Sequence, residues 1–209
     1  MGHREDLLIG AKRCLIELGY GRTTARDIVK ASGANLASIG YHYGSKEALL
    51  NQALMAAISE SGDELISVSS ASTASDLSPL ERFEDIWTRL ITHFPNYRQV
   101  WVASFEALAQ ADHAPVVRQA LADGIEQGRE GITSVFDDAG LLKNLTGPLS
   151  DSDKRALGSF YQALFMGVMA QLLVDPDRAP SGSDIANALR ILSTISSEPV
   201  SDQPHAVAS

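Results

Sequence analysis

Apolar residues recur at helical spacing through most of the chain, and no segment alternates apolar and polar residues over the length of a strand. The first stripe contains Leu7, Ala11 and Leu15 and stops before Gly19, a residue typical of helix ends. We therefore predict an all-α fold of about nine helices, over residues 4–18, 25–31, 36–43, 46–67, 79–93, 97–111, 114–138, 151–174 and 183–196.

The composition fits a cytoplasmic protein. The chain has 209 residues, of which 44% are hydrophobic, and a single cysteine, Cys14, so an internal disulfide is excluded. The start of the chain lacks the pattern of a signal peptide. Residues 156–174 carry no charge, but Ser159, Gln162 and Gln171 interrupt them, which favours a buried helix over a membrane span. We expect no membrane partner.

The charges are unevenly distributed. The net charge is −9, yet residues 1–48 hold 7 Lys+Arg and 5 Asp+Glu, while residues 49–209 hold 10 and 21. A polyanion would be attracted to the first segment and repelled by the second. This split alone is weak support for nucleic-acid binding, because many domains show it by chance.

The second and third predicted helices are short and are joined by a glycine-containing turn, which is the spacing of a helix-turn-helix. Thr24 followed by Asp27 resembles a capping box, Gly33 suits a left-handed turn, and Asn35 can cap the third helix. Ser45 can cap the fourth helix.

The stretch "SIGYHYGSKEAL" (38–49) places three ring side chains at consecutive positions, so they cannot all enter one core. Helical spacing predicts an inward stripe of Leu36, Ile39 and Tyr43. The predicted outward face consists of Ala37, Ser38, Tyr41 and His42. Such a face is uncharged and can form hydrogen bonds, so it fits a DNA major groove.

Positions beside this face suit phosphates. Lys46 lies in the first turn of the fourth helix, where the helix dipole disfavours a cation and an external anion would offset that cost. Thr24 and Arg26, at the start of the second helix, are a second candidate phosphate clamp. The alternative for Lys46 is a merely solvated side chain.

The stretch "TTARDIVKASGANLASIGYHYGSKEALL" (23–50) resembles the DNA-binding domain of the tetracycline-repressor (TetR) family of bacterial transcription regulators. The resemblance covers residues 4–50 and implies a recognition helix over residues 35–43. One departure is Gly40, where the family commonly has tyrosine. The candidate DNA-binding residues are Thr24, Arg26, Asn35, Ala37, Ser38, Gly40, Tyr41, His42 and Lys46.

The resemblance also implies a homodimer formed by the last two long helices. The apolar segment 157–174 supports this, because it is apolar almost all round. The candidate interface residues are Leu157, Phe160, Leu164, Gly167, Val168, Gln171, Leu189 and Leu192. We predict a helix-turn-helix domain at 1–48, a helical effector-binding and dimerisation domain at 49–196, and a disordered tail at 197–209.

Aromatic residues of the second domain cluster in two segments and predict a cavity, with ordinary core packing as the alternative. In the TetR family such a cavity binds a small effector that releases DNA. The candidate ligand-binding residues are Trp87, Phe94, Trp101, Phe105, Gln127, Phe160, Tyr161, Gln162, Phe165, Met166 and Met169.

The sequence shows no nucleophile motif and no metal-ligand spacing among its five histidines, so we expect no catalytic residue, no metal and no cofactor. The predicted function is a DNA-binding transcriptional regulator, a repressor released from a palindromic operator by a small molecule. The alternatives are an activator, a regulator that responds to a protein instead of a small ligand, and a helical small-molecule-binding protein or enzyme.

Overall fold

The computed structural model describes residues 3–70, 77–112, 114–138, 141 and 147–195. Every regular element within these ranges is an α-helix. The eight helices are α1 (His3–Leu18), α2 (Ala25–Ser32), α3 (Leu36–Tyr43), α4 (Lys46–Ser70), α5 (Pro79–Gln110), α6 (Pro115–Asp138), α7 (Asp151–Val174) and α8 (Gly182–Ile195). The all-α prediction is confirmed, whereas the tail predicted at 197–209 lies outside the described residues.

The prediction of separate helices over 79–93 and 97–111 is wrong, because α5 continues through Pro95. Proline in a helix interior removes one backbone hydrogen bond and usually ends or kinks the helix. Here Phe94 and Tyr97, on either side of the exposed Pro95, are both buried, so tertiary packing holds the two halves in one helix. This single helix reduces the expected nine helices to eight in the described part of the chain.

The helix ends follow local capping signals. Thr24 and Asp27 form a complete capping box at α2, and Asn35 caps α3 by accepting the Ser38 N–H, as the sequence predicts. Ser78 with Glu81 caps α5, and Ser150 with Asp153 caps α7 in the same way. Each cap satisfies backbone donors that would otherwise lack a partner in the first turn.

One hydrophobic core holds the three N-terminal helices against the rest of the protein. Leu7 and Leu15 of α1, Ile28 of α2, Ile39 of α3 and Leu49 of α4 are all buried in it. Residues near the C-terminal end of α5 and at the start of α6 join the same cluster, namely Ala103, Ala107 and Val117. The predicted domain boundary at residue 48 therefore falls inside α4 and inside a continuous core.

A second core joins α5 to α6, α7 and α8. Phe83 and Trp87 of α5 pack with Phe136 of α6, and the Phe136 ring stacks on Tyr161 of α7 at a centroid distance of 4.1 Å. Within this second core the helices pack mainly in two pairs, α6 with α7 and α5 with α8. Among the described residues, α7 is the one helix long and apolar enough to cross a membrane by length and composition, and it contributes Met169 and Leu172 to this core.

Candidate functional site

The start of α2 is fixed by the capping box. The Asp27 carboxylate accepts hydrogen bonds from the Thr24 hydroxyl at 2.6 Å and from the Thr24 N–H at 2.9 Å. These two bonds hold the pKa of Asp27 below its usual value. Thr24 and Arg26 are both exposed at this end of α2, so the candidate phosphate clamp lies on the surface.

The turn between α2 and α3 sets the position of the second helix. Gly33 has a φ of 70°, a left-handed conformation that favours glycine, and its N–H donates to the Val29 carbonyl. Asn35 then accepts the Ser38 N–H at 3.0 Å and the Ser38 hydroxyl at 3.1 Å. The exposed Asn35 is thus placed at the start of α3 by its capping role.

Two residues of α3 face differently from the prediction. Ser38, expected on the outward face, is buried, with 9% exposure, because its hydroxyl and N–H both turn to Asn35. Leu36, expected inward, is 56% exposed. Helical side chains lean toward the N-terminus, and at the first position of a helix no preceding turn is available to cover them.

The exposed residues of α3 are Leu36, Ala37, Gly40 and Tyr41, and His42 is half-buried beside them. Tyr41 is 85% exposed, and its ring meets the His42 ring edge-on at 4.8 Å. A Cβ added at Gly40 would meet nothing within 4 Å, so this position leaves open space beside Tyr41. We define Ala37, Gly40 and Tyr41 as the α3 face.

Tyr43 faces inward, as predicted. Its hydroxyl donates to the Arg4 carbonyl at 2.6 Å, and the Arg4 guanidinium lies 5.8 Å from the ring centroid. Burial raises the pKa of Tyr43 above its usual value. The ring therefore ties α3 to the start of α1.

Lys46 is half-buried beside the helix-turn-helix. Its Nζ donates to the Thr23 carbonyl at 3.2 Å and lies 3.4 Å from a Glu47 carboxylate oxygen. Ser45 caps α4 by accepting the Ala48 N–H, as the sequence predicts. The ammonium group is thus held close to Thr24 at the start of α2.

A cavity of about 350 Å³ lies between α4, α5, α6 and α7. Six of the candidate ligand residues line it, namely Trp101, Phe105, Gln127, Gln162, Phe165 and Met166. The other five do not line it. Trp87, Phe94, Tyr161 and Met169 are buried in the second core, where aromatic and methionine side chains pack on one another, and Phe160 is 45% exposed on the surface.

The sequence prediction missed the contributions of α4 and most of α6 to this cavity. Met55 and Ile58 form the α4 wall, and Gly124, Gly128 and Gly131 lie along the α6 wall. The three glycines recur at positions i, i+4 and i+7, so they share one helix face. That spacing was the sequence signal for a special helix face, but the sequence does not show which helices or which cavity this face contacts.

Part of α7 and α8 presents apolar side chains to the surface. Phe160 is 45% exposed, Leu192 is 53% exposed and Val174 is 86% exposed. Gly167 and Gln171 lie on the same exposed side of α7, while Leu157, Leu164 and Leu189 are half-buried. Val168 is the exception among the candidate interface residues, because it is 1% exposed and packs into the second core of its own protomer.

Comparison with known proteins agrees with this geometry. A family model for bacterial regulatory proteins, tetR family, matches residues 7–53. The HTH-type transcriptional repressor AcnR of Corynebacterium efficiens is 31% identical over 138 residues, covering 60% of this chain and 68% of AcnR. The HTH-type transcriptional regulator PksA of Bacillus subtilis is 25% identical over 178 residues, covering 84% of this chain and 80% of PksA.

The fold as a whole is also shared. A crystal structure of a Rhodococcus sp. RHA1 protein described as a transcriptional regulator superposes with a TM-score of 0.67 at 19% identity, covering 92% of this chain and 97% of that chain. The helix-turn-helix, the family match over it and the similarity to AcnR lead to one conclusion. The chain belongs to the tetR family of bacterial regulatory proteins and is a DNA-binding transcriptional regulator.

Proposed function

We propose that the protein is a cytoplasmic, homodimeric repressor that binds a palindromic DNA operator and leaves it when a small molecule enters the cavity. The observation that carries the DNA-binding part is the α3 face, where Tyr41 is 85% exposed on the second helix of a helix-turn-helix. Proteins with this motif insert that helix into the major groove.

The α3 face suits base recognition. It has no charged side chain, so it can enter the groove without meeting a like charge on the phosphates. The Tyr41 hydroxyl can donate to or accept from base edges, and the Ala37 methyl can contact a thymine methyl. Asn35 and His42 lie beside the face, and we propose for them contacts to DNA backbone oxygens or to the edge of the site.

The phosphate contacts follow from the cations around α2 and α4. Arg26 is exposed at the start of α2, and Lys46 lies in the first turn of α4. Exchange of the Thr23 carbonyl for a phosphate oxygen would give the Lys46 ammonium a charged acceptor, and charge-assisted hydrogen bonds are stronger than neutral ones. The N–H groups at the two helix starts add a favourable dipole for the same anions.

The dimer is supported by the exposed apolar side of α7 and α8. Phe160, Val174 and Leu192 expose apolar surface that a second copy would cover. Gly167 allows close helix approach because it has no side chain and its added Cβ would meet nothing in the protomer. Two-fold symmetry would place two α3 faces about 34–36 Å apart, one turn of DNA.

Release by an effector is supported by the contacts between the cavity and the helix-turn-helix. Phe105 lines the cavity, and the adjacent Glu106 accepts the Gly21 N–H at 3.2 Å, in the turn that precedes α2. Met55 lines the cavity one helical turn after Asn51, which binds Tyr20 in the same turn region. Movement of α4 or α5 on ligand binding would therefore be transmitted to the helix-turn-helix. Release of DNA by an effector is typical of the family.

The test is selection of bound DNA from a random pool with the full-length chain. We expect enrichment of a palindrome whose half-sites lie about one helical turn apart. Failure to enrich any sequence would contradict the DNA-binding proposal, and enrichment of a single unpaired half-site would contradict the dimer. A reporter gene whose promoter contains the selected site then distinguishes a repressor from an activator. Reporter expression that rises on removal of the protein identifies a repressor, and expression that falls identifies an activator.

A further inference from the structure

The cavity between α4 and α7 has no charged side chain among the described residues that line it. Its walls are mostly aliphatic and aromatic, with serine hydroxyls and two glutamine amides as the polar groups. An ionised group moved from water into such surroundings loses its hydration and gains no counter-ion. The described lining therefore disfavours both anions and cations.

The polar groups of the cavity can offer only neutral hydrogen bonds. The Ser61 and Ser104 hydroxyls donate to carbonyls of their own helices, to Ala57 at 2.7 Å and to Val100 at 2.8 Å. The Gln127 and Gln162 amides form no side-chain hydrogen bond with another described residue. These two amides, the exposed Ser59 hydroxyl and the Trp101 indole N–H are thus the groups available to orient a ligand, and each amide can both donate and accept.

The glycines of α6 admit neighbouring side chains at Gly124 and Gly128 and leave open space at Gly131. A Cβ at Gly128 would lie 2.7 Å from the Gln162 Nε2, so glycine at 128 lets the amide lie directly against the helix. A Cβ at Gly131 would meet nothing within 4 Å, so this position opens onto the cavity. Across from them, the Trp101 and Phe165 rings meet edge-on at a centroid distance of 5.1 Å.

We propose that the cavity selects a neutral, largely apolar small molecule, which rests against Gly131 of α6 and is oriented by the Gln162 amide. The volume of about 350 Å³ is at the lower end of the range for small-molecule sites, about 300–1,000 Å³. This inference rests on the proposed function, because it names the class of effector whose binding would release the regulator from DNA.

The test uses three probes that share one ring system and differ in charge. These are 1-naphthalenemethanol, which is neutral, 1-naphthalenemethylammonium, a cation, and 1-naphthoate, an anion. Isothermal titration calorimetry at pH 7 on the full-length protein is expected to show the alcohol binding at least tenfold more tightly than either ion. An ion that binds as tightly as the alcohol, or an alcohol that does not bind, would overturn the proposal.

A pair of α6 variants locates the binding. Gly131→Leu fills the cavity from an open position and is expected to weaken binding of the alcohol at least tenfold. Ala122→Leu adds the same side chain at an exposed position of α6 that does not line the cavity, and it is expected to leave binding unchanged. Equal affinity of the two variants would place the alcohol elsewhere and overturn the proposal.

The result of the probe-binding test can be distinguished from the result of the DNA-selection test of the proposed function. Selection of DNA does not depend on the probes, so a protein that enriches a palindrome but prefers a charged probe would retain its proposed function and lose this ligand class. A protein that binds the alcohol but enriches no DNA would lose the proposed function.

Discussion

The Tyr20 hydroxyl donates a hydrogen bond of 2.6 Å to the Asn51 Oδ1, and both side chains are buried. Tyr20 belongs to the turn after α1, and Asn51 lies in the second turn of α4. The bond therefore joins the N-terminal helices to the long helix that continues into the body. The Asn51 Nδ2 is buried and has no partner among the described residues, so this amide depends on Tyr20 for its one hydrogen bond.

Removal of this hydroxyl is expected to destabilise the protein. Tyr20→Phe keeps the ring but leaves the Asn51 amide without a partner, a change that typically costs about 1–3 kcal/mol. Urea unfolding at one fixed protein concentration measures the difference. Tyr41→Phe is the control, because its hydroxyl is exposed, and it should change the unfolding free energy by less than about 0.5 kcal/mol. Equal decreases in the unfolding free energy of the two variants would contradict a stabilising role for the hydrogen bond between Tyr20 and Asn51.

The raised pKa of Tyr20 leads us to expect that the free energy of unfolding depends on pH in the alkaline range. Burial, with a smaller effect from Glu47, raises the pKa of Tyr20 to about 12, against about 10 in the unfolded chain. Between these values the folded state binds more protons than the unfolded state, so the free energy of unfolding falls as pH rises. Urea unfolding from pH 9 to 12 should show a steeper fall for the wild type than for Tyr20→Phe. If the free energy of unfolding fell equally with pH in the two proteins, the raised pKa of Tyr20 would be contradicted.

Lys46 and Tyr41 are expected to affect DNA binding differently. Lys46→Ala removes the proposed phosphate contact, so it should weaken binding to all sequences about equally and lower the salt slope by about 1 per half-site. Tyr41→Ala removes the proposed base contact and should also alter the sequence preference. Fluorescence anisotropy with the selected operator and with unrelated DNA, over a range of salt, measures both effects.

A matched control exists for the charge removed at Lys46. Lys154→Ala in α7 removes one exposed lysine charge far along the chain from the helix-turn-helix and should leave the salt slope unchanged. If Lys46→Ala and Tyr41→Ala both bound the operator as tightly as the wild type, the assignment of α3 as the recognition helix would be wrong.

Gly40 offers a test of helix stability on the α3 face. Gly40→Ala should raise the unfolding free energy by roughly 0.5–1 kcal/mol, because alanine loses less backbone entropy in a helix and its Cβ meets nothing here. For a chain of this size the thermal midpoint should rise by about 1–4 °C. Gly33→Ala is the contrasting variant: its Cβ also meets nothing, but φ is 70°, so it should lower the midpoint. Calorimetry of both proteins provides the comparison.

Local signals made most of the fold predictable from the sequence. The Thr24–Asp27 capping box, the left-handed Gly33 and the Asn35 cap act within a few residues of one another, so their chemistry can be read directly. The limits of α3 and α7 follow from such signals and agree with the predicted ranges 36–43 and 151–174. Pro95 shows the opposite case, since burial of Phe94 and Tyr97 outweighs a local helix-breaking preference.

The candidate sites were less predictable because they depend on which helices are neighbours. Helical spacing predicted Leu36 inward and Ser38 outward, but it contains no information on helix ends or on the hydrogen bond from Ser38 to Asn35. Similarly, Trp87 and Trp101 lie on the same helix, yet the first fills the core and the second lines the cavity. Distinguishing them requires the positions of α6 and α7.

The open position at Gly131 has a consequence for how such a regulator can diversify. A side chain added there changes the volume of the cavity and touches none of the residues of the α3 face or of the exposed side of α7. Under the proposed function, one substitution at Gly131 would therefore change which small molecule the regulator binds while leaving its operator unchanged. Met55 and Gln162 cover the other two glycines of this face, so the single open position at Gly131 is a source of evolutionary freedom.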